Sequence, residues 1–141
     1  MNKPRVLFLC SGNSARSQMA EAFLRKHGGD RYEAHSAGLT PQPVNPLVVR
    51  AMAEAGLDIS LCRSKSVKEY LGQACFAHLF IVCDEARKNC PTTFPGVAQV
   101  CHWPFDDPAE FTGDDEEKMS RLRQLRDQIE ARILSWLKTQ A

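Results

Sequence analysis

The chain has 141 residues, with 18 basic and 17 acidic side chains and a formal net charge of +1, the size and balance of one ordinary soluble domain. Hydrophobic residues at 43% and charged residues at 25% can build a core without staples, which excludes disorder and collagen-like structure. A pI of about 7.6 gives no global basis for binding nucleic acid or a membrane surface, so any anion must be recognised locally. The longest apolar runs, 6–10 and 79–83, fall far short of the ~20 residues that span a bilayer. No signal-peptide pattern is legible at the N-terminus. The expectation is one cytoplasmic domain over residues 1–141.

Apolar residues 6–10 form a continuous short run ended by Ser11-Gly12-Asn13, the pattern of a strand buried on both faces. Met19, Ala20, Phe23 and Leu24 then recur at helical spacing over 17–27, and Gly28-Gly29 stops that helix. A second strand is expected over 32–36, followed by a loop with Pro41, Pro43 and Pro46. Asn45 caps a helix with Pro46 at its first position, and Gly56 ends it. A weaker helical stretch over 66–74 precedes strands at 78–83 and 98–102. Met119, Leu122, Leu125, Ile129 and Ile133 line one face of a long helix over 115–137. Its acidic start, Asp114 to Glu117, complements the helix dipole. Alternating strands and helices predict a doubly wound α/β domain, with a parallel sheet and helices on both faces.

The most informative stretch is Cys10-Ser11-Gly12-Asn13-Ser14-Ala15-Arg16-Ser17. A cysteine and an arginine six residues apart, between a buried strand and a helix N-terminus, make a concave anion site. Small residues let backbone amides point inward, the helix end adds positive potential, and Arg16 can grip two oxyanion oxygens. The same field favours a Cys10 thiolate, to which Ser17 can donate its hydroxyl. Asn13 suits a left-handed turn. Both Cys10 and Arg16 fall at the carboxyl end of a strand, where ligands bind in this architecture.

This loop with the following Gln18-Met19-Ala20-Glu21 closely resembles the low-molecular-weight phosphotyrosine phosphatase fold, and specifically its thioredoxin-coupled arsenate reductase branch. Ser36-Ala37-Gly38, Val44-Asn45-Pro46, Asp58-Ile59-Ser60, Cys83 with Cys90-Pro91, and the stretch from His102 through Asp107-Pro108-Ala109 carry the resemblance along most of the chain. It implies a four-stranded parallel sheet with Cys10 as nucleophile, Arg16 as oxyanion clamp and Asp107 as general acid. From the residues alone, Asp107 reads equally as a turn former or helix cap before Pro108.

The resemblance further implies a relay from Cys10 to Cys83 to Cys90, recycled by reduced thioredoxin with no bound cofactor or metal. In a sheet ordered 2-1-3-4, Cys83 would lie on the strand beside Cys10, ~4.8 Å away, within the ~4.4–6.8 Å Cα range of a disulfide. Were 84–90 helical, Cys83 and Cys90 would stand roughly 10 Å apart, so their bridge requires that segment to loop out on oxidation. By spacing alone, Cys83 and Cys90 read as ordinary strand and loop residues.

The implied substrate is arsenate with phosphate as competitor, and the implied partner is thioredoxin. Neither nucleic acid nor membrane is expected, and the protein is expected to be a monomer. The alternative is a phosphotyrosine phosphatase, which needs only Cys10, Arg16 and Asp107. Against it, Gln18 stands where phosphatases usually have Pro, and Ala109 where many have Tyr. An oxyanion or thiol-reactive sensor is a second rival, and glutaredoxin a rival reductant. Cys75 and Cys101 are expected as small buried hydrophobes, and Cys62 as more exposed. The four histidines show no ligand spacing. Some relatives bind potassium through residues matching Asn13, Glu21 and Ser36 with an aspartate. Lys65 takes the aspartate position, so its ammonium is expected to replace the metal and support Glu21.

Overall fold

Five apolar residues in succession, Val6 to Cys10, are each at most 2% exposed, and they form most of the central strand β1 (Arg5–Cys10). The computed structural model describes residues 3–70, 75–82 and 97–140. The expectations for Cys83, Cys90 and the 84–90 segment lie outside them. After β1 come α1 (Arg16–Gly28), β2 (Glu33–Gly38) and α2 (Pro46–Glu54). β3 (Phe76–Ile81), β4 (Val97–His102) and α3 (Asp115–Thr139) complete the described elements. All four strands are parallel in the order β2-β1-β3-β4. The chain leaves β1 to one side for β2 and returns to its other side for β3. The end of β1 is therefore a topological switch point, where a crevice opens.

Expected punctuation and structure agree at most boundaries. Asn45 caps α2 by accepting from the Leu47 N–H, Pro46 sits at the first helical position, and Gly56 follows with a φ of 82°. Asp114 caps α3, whose first turn carries Asp115, Glu116 and Glu117. β2 runs on to Gly38 because Ala37 and Gly38 pair with Leu9 and Cys10 of β1. The described part of the 66–74 stretch holds a 3-10 turn, Val67–Glu69, closed by a capping box between Ser66 and Glu69. Residues 71–74 lie outside the described chain.

Two cysteine expectations are corrected. Cys75 is exposed, because it precedes β3 rather than lying within its buried run. Cys101 is only half-buried, because β4 is an edge strand among the described strands and three of its residues are exposed. Cys62 is likewise half-buried.

An aromatic cluster ties the sheet to α3. Phe80 stacks on Phe8 with ring centroids 5.4 Å apart, lies 4.0 Å from Trp103, and meets the edge of Trp136 at 5.2 Å. His78 joins this cluster, 5.0 Å from Trp136. The histidines otherwise take structural positions; His27, for example, lies 2.7 Å from Glu130 on α3.

Burial pushes His78 below the ordinary histidine value of 6.5, with a smaller opposing effect from a hydrogen bond to Gln99. Its unfolded imidazole therefore takes up a proton at a pH where the folded one stays neutral. Stability contributed by neutral His78 is complete above about 6.5 and is lost as pH falls below that value. The difference in urea-unfolding free energy between wild type and His78→Phe should thus change below pH 6.5 and stay flat above it. A difference flat throughout would remove His78 as the source.

Candidate active site

The loop between β1 and α1 is held from outside by its own neighbours. The Leu39 N–H donates to Cys10 O at 3.1 Å, Thr40 N–H to Ser11 O at 2.8 Å, Gln42 N–H to Gly12 O at 2.9 Å and Asn45 N–H to Ser14 O at 2.9 Å. Ser64 Oγ donates to the remaining carbonyl, Asn13 O, at 2.9 Å, and also contacts Gln42 O. Five consecutive carbonyls are thereby engaged by the 39–45 segment and Ser64, so each already has a donor on the loop's flank rather than facing its concave side unpaired. Asn13 makes the turn with a φ of 53°, the left-handed conformation expected of it. Gly38 is required where β2 passes beneath. A Cβ there would meet Asn13 N and Gly12 C at 2.8 Å.

Cys10, Arg16 and Asp107 line one pocket of about 260 Å³ on this concave side. α1 begins at its floor with no side-chain cap on its first turn, an arrangement suited to an anion. Arg16 is buried, and its Nη1 donates to Phe105 O at 3.2 Å. Its Nη2 lies 3.5 Å from Asp107 Oδ2. Asp107 takes the helix-cap position open to it before Pro108 and also faces Arg16. One oxygen accepts from the Ala109 N–H at 2.9 Å and caps the 3-10 turn Pro108–Glu110, while the other faces Arg16. Cys10 Sγ receives the Asn13 N–H at 3.1 Å and stands 2.8 Å from Ser17 Oγ. A negative sulfur is well served by two such donors.

Behind the loop, Lys65 stands beside Glu21 and Ser36. Its Nζ lies 3.7 Å from Glu21 Oε1 and within 3.5 Å of Ser36 Oγ, with Glu21 almost fully buried. Glu21 also pairs with Arg25 at 3.5 Å. These residues do not fit a potassium ion. The ammonium already occupies the space between the two oxygens and would repel it.

Residues 5–141 match the low molecular weight phosphotyrosine protein phosphatase family. The chain belongs to that family. Within it, the chain is 44% identical to the arsenate reductase of Halalkalibacterium halodurans and 39% identical to that of Bacillus subtilis, over 99% of each chain. Among solved structures it resembles an arsenate reductase in the oxidized state, with TM-score 0.81 and 25% identity over 97% of this chain and 98% of the other. An arsenate reductase in the phosphate binding state gives TM-score 0.76 and 26% identity over 96% and 98%. The thioredoxin-dependent arsenate reductase of Corynebacterium glutamicum gives TM-score 0.66 and 27% identity, covering 97% of this chain and 61% of that one.

The structure brings together Cys10, the loop residues Ser11 to Ala15, Arg16, Ser17 and Asp107. Cys83 and Cys90 lie outside the described residues. Sequence reasoning singled out Ala109 but missed Thr40 and Gln42 as walls of the pocket, and Ser64 as a brace. The proline-rich stretch after β2 signalled a loop, but nothing local placed it against the anion loop. Because the Lys65 ammonium already sits beside Glu21 and Ser36, exchanging sodium for potassium at constant ionic strength should leave the melting temperature unchanged. Lys65→Met should destabilise the fold by about 1–3 kcal/mol, because Glu21 stays buried with Arg25 as its remaining partner. A potassium-dependent rise in the wild-type melting temperature would put the ion, rather than Lys65, at Glu21.

Proposed function

We propose that this protein reduces arsenate to arsenite, with Cys10 as nucleophile and reduced thioredoxin as the final electron donor. The observation that carries the reading is the convergence of Cys10, Arg16 and Asp107 on one pocket, in a chain that matches arsenate reductases over nearly its whole length. Arg16 and the uncapped end of α1 bind the oxyanion. The Cys10 thiolate forms a sulfur–arsenic bond as one oxygen leaves as water, protonated by Asp107. A second thiol, assigned to Cys83, then attacks Cys10 sulfur. The sulfur–arsenic bond breaks, its electron pair stays on arsenic to give arsenite, and a Cys10–Cys83 disulfide remains.

In the relay as proposed, Cys90 displaces Cys10 to leave a Cys83–Cys90 disulfide, which a dithiol of thioredoxin reduces. The thioredoxin-dependent relative supports that donor, and the phosphate-bound relative supports phosphate as a competing anion. We place the protein in the cytoplasm as a single-domain monomer over residues 1–141. Ala109 at the pocket rim and the two further cysteines favour reduction over ester hydrolysis, for which the pocket nevertheless holds the three groups required.

Multiple-turnover arsenite production with thioredoxin, thioredoxin reductase and NADPH should require Cys10, Cys83 and Cys90. Hydrolysis of p-nitrophenyl phosphate should survive Cys83→Ser and Cys90→Ser. Asp107→Asn should slow arsenite formation by roughly 10²–10³-fold. Ester hydrolysis through Cys10 with no arsenite from any thiol donor would make the protein a phosphatase.

A further inference from the structure

Gln18 is a polar side chain, 1% exposed, that the chemistry above does not use. Its Nε2 donates to Asn13 Oδ1 at 3.1 Å and to Arg63 O at 3.0 Å. Its own Oε1 is buried with no hydrogen-bond partner among the described residues. Arg63 O is a backbone carbonyl and can only accept, so this orientation is dictated from outside the side chain. The reversed amide would set Oε1 against two oxygens. An amide that uses both N–H bonds while leaving its carbonyl unpaired is held for what it donates.

Asn13 is oriented in the same way. The Lys65 backbone N–H, which can only donate, reaches Asn13 Oδ1 at 2.8 Å, and Gln18 supplies the second donor to that oxygen. Asn13 Nδ2 is therefore turned to Ser17 Oγ at 2.8 Å. Ser17 accepts there, which leaves its single proton for Cys10 Sγ, 2.8 Å away. Were the Asn13 amide reversed, Ser17 would donate to Asn13 and the sulfur would lose a donor.

We propose that Gln18 is a positioning residue that sets the direction of this hydrogen-bond chain, so that Ser17 donates to Cys10. The inference rests on the reading of Cys10 as nucleophile and extends it to a residue that never touches the substrate. It is specific in sign. A donor at position 18 supports the reactive sulfur, and an acceptor there opposes it.

The test compares wild type with Gln18→Met, which keeps the volume and loses the donors, and Gln18→Glu, which places acceptors against Asn13. Ser17→Ala and the double variant Ser17→Ala/Gln18→Met complete a cycle. Three quantities are read: the rate of iodoacetamide alkylation at Cys10, by mass spectrometry of its peptide; phosphate affinity; and kcat and KM for arsenate. Gln18→Met should lower the alkylation rate and kcat by about five- to tenfold, the fold-change that accompanies one lost hydrogen bond. Gln18→Glu should lower both further. KM and phosphate affinity should stay within about twofold of wild type, and Gln18→Met should cost nothing more once Ser17 is Ala.

Unchanged alkylation in Gln18→Met would show that the Lys65 N–H suffices, and would overturn the proposal. So would an equal loss with and without Ser17, or a loss that tracks phosphate affinity, since either marks a merely structural role. If Gln18→Met is not recovered folded, Gln18→Glu carries the same comparison. Absence of arsenate turnover in wild type would defeat the proposed function, while the alkylation cycle would still decide the role of Gln18.

Discussion

The site depends on one constraint: the carbonyl groups of residues 10–14 are all hydrogen-bonded to the 39–45 segment or to Ser64. A peptide loop of small residues has many conformations, and most would point some of those oxygens at an arriving anion. Engaging them with the 39–45 segment and Ser64 leaves one curvature. The loop then stabilises negative charge with dipoles that need not reorganise when charge develops. Arg16 and Asp107 are aligned on that fixed surface, each held by a backbone group, Phe105 O and Ala109 N–H respectively.

The same chain region serves the core and the chemistry. α1 is anchored by Met19, Ala20, Phe23 and Leu24, all at most 1% exposed, while its first turn supplies Arg16 and Ser17. β1 is buried from Val6 to Cys10, so the sulfur of the site sits on the last residue of that buried run. Rigid packing at one end of these elements thereby becomes positional accuracy at the other. The cost is a set of buried polar side chains, Asn13, Arg16, Ser17, Gln18, Glu21 and Ser36, whose partners are drawn from one another and from Arg63 O, Phe105 O, Asp107, Lys65 and Arg25.

What was legible in the sequence follows from range. β1, α1, α2 and α3 announce themselves through local periodicity and caps, and the anion loop through its composition between a strand and a helix. The exposure of β4 was not legible. Cys101 in the expected 98–102 strand read as buried, and only the strand order places it at an edge. Lys65 could be matched to a cation position by resemblance, but its distances to Glu21 and Ser36 arise from a bridge between Gly38 and Ser66 that no local pattern encodes. The position of Gln18 between Asn13 and Arg63 is of the same kind, joining residues 45 apart in the chain.

The segment bracing the anion loop has no regular secondary structure until α2 begins at Pro46, yet its composition is ordered. Its donating amides are those of residues 39, 40, 42 and 45, and its prolines are Pro41, Pro43 and Pro46. The residues that have no N–H to give thus stand where the brace requires none. Each proline also restricts the unfolded chain, which favours the folded state by roughly 0.4–1 kcal/mol where the native backbone accommodates the ring. Part of the conformational entropy that ordering this segment would otherwise cost has therefore been removed covalently, before folding begins and before any oxyanion arrives.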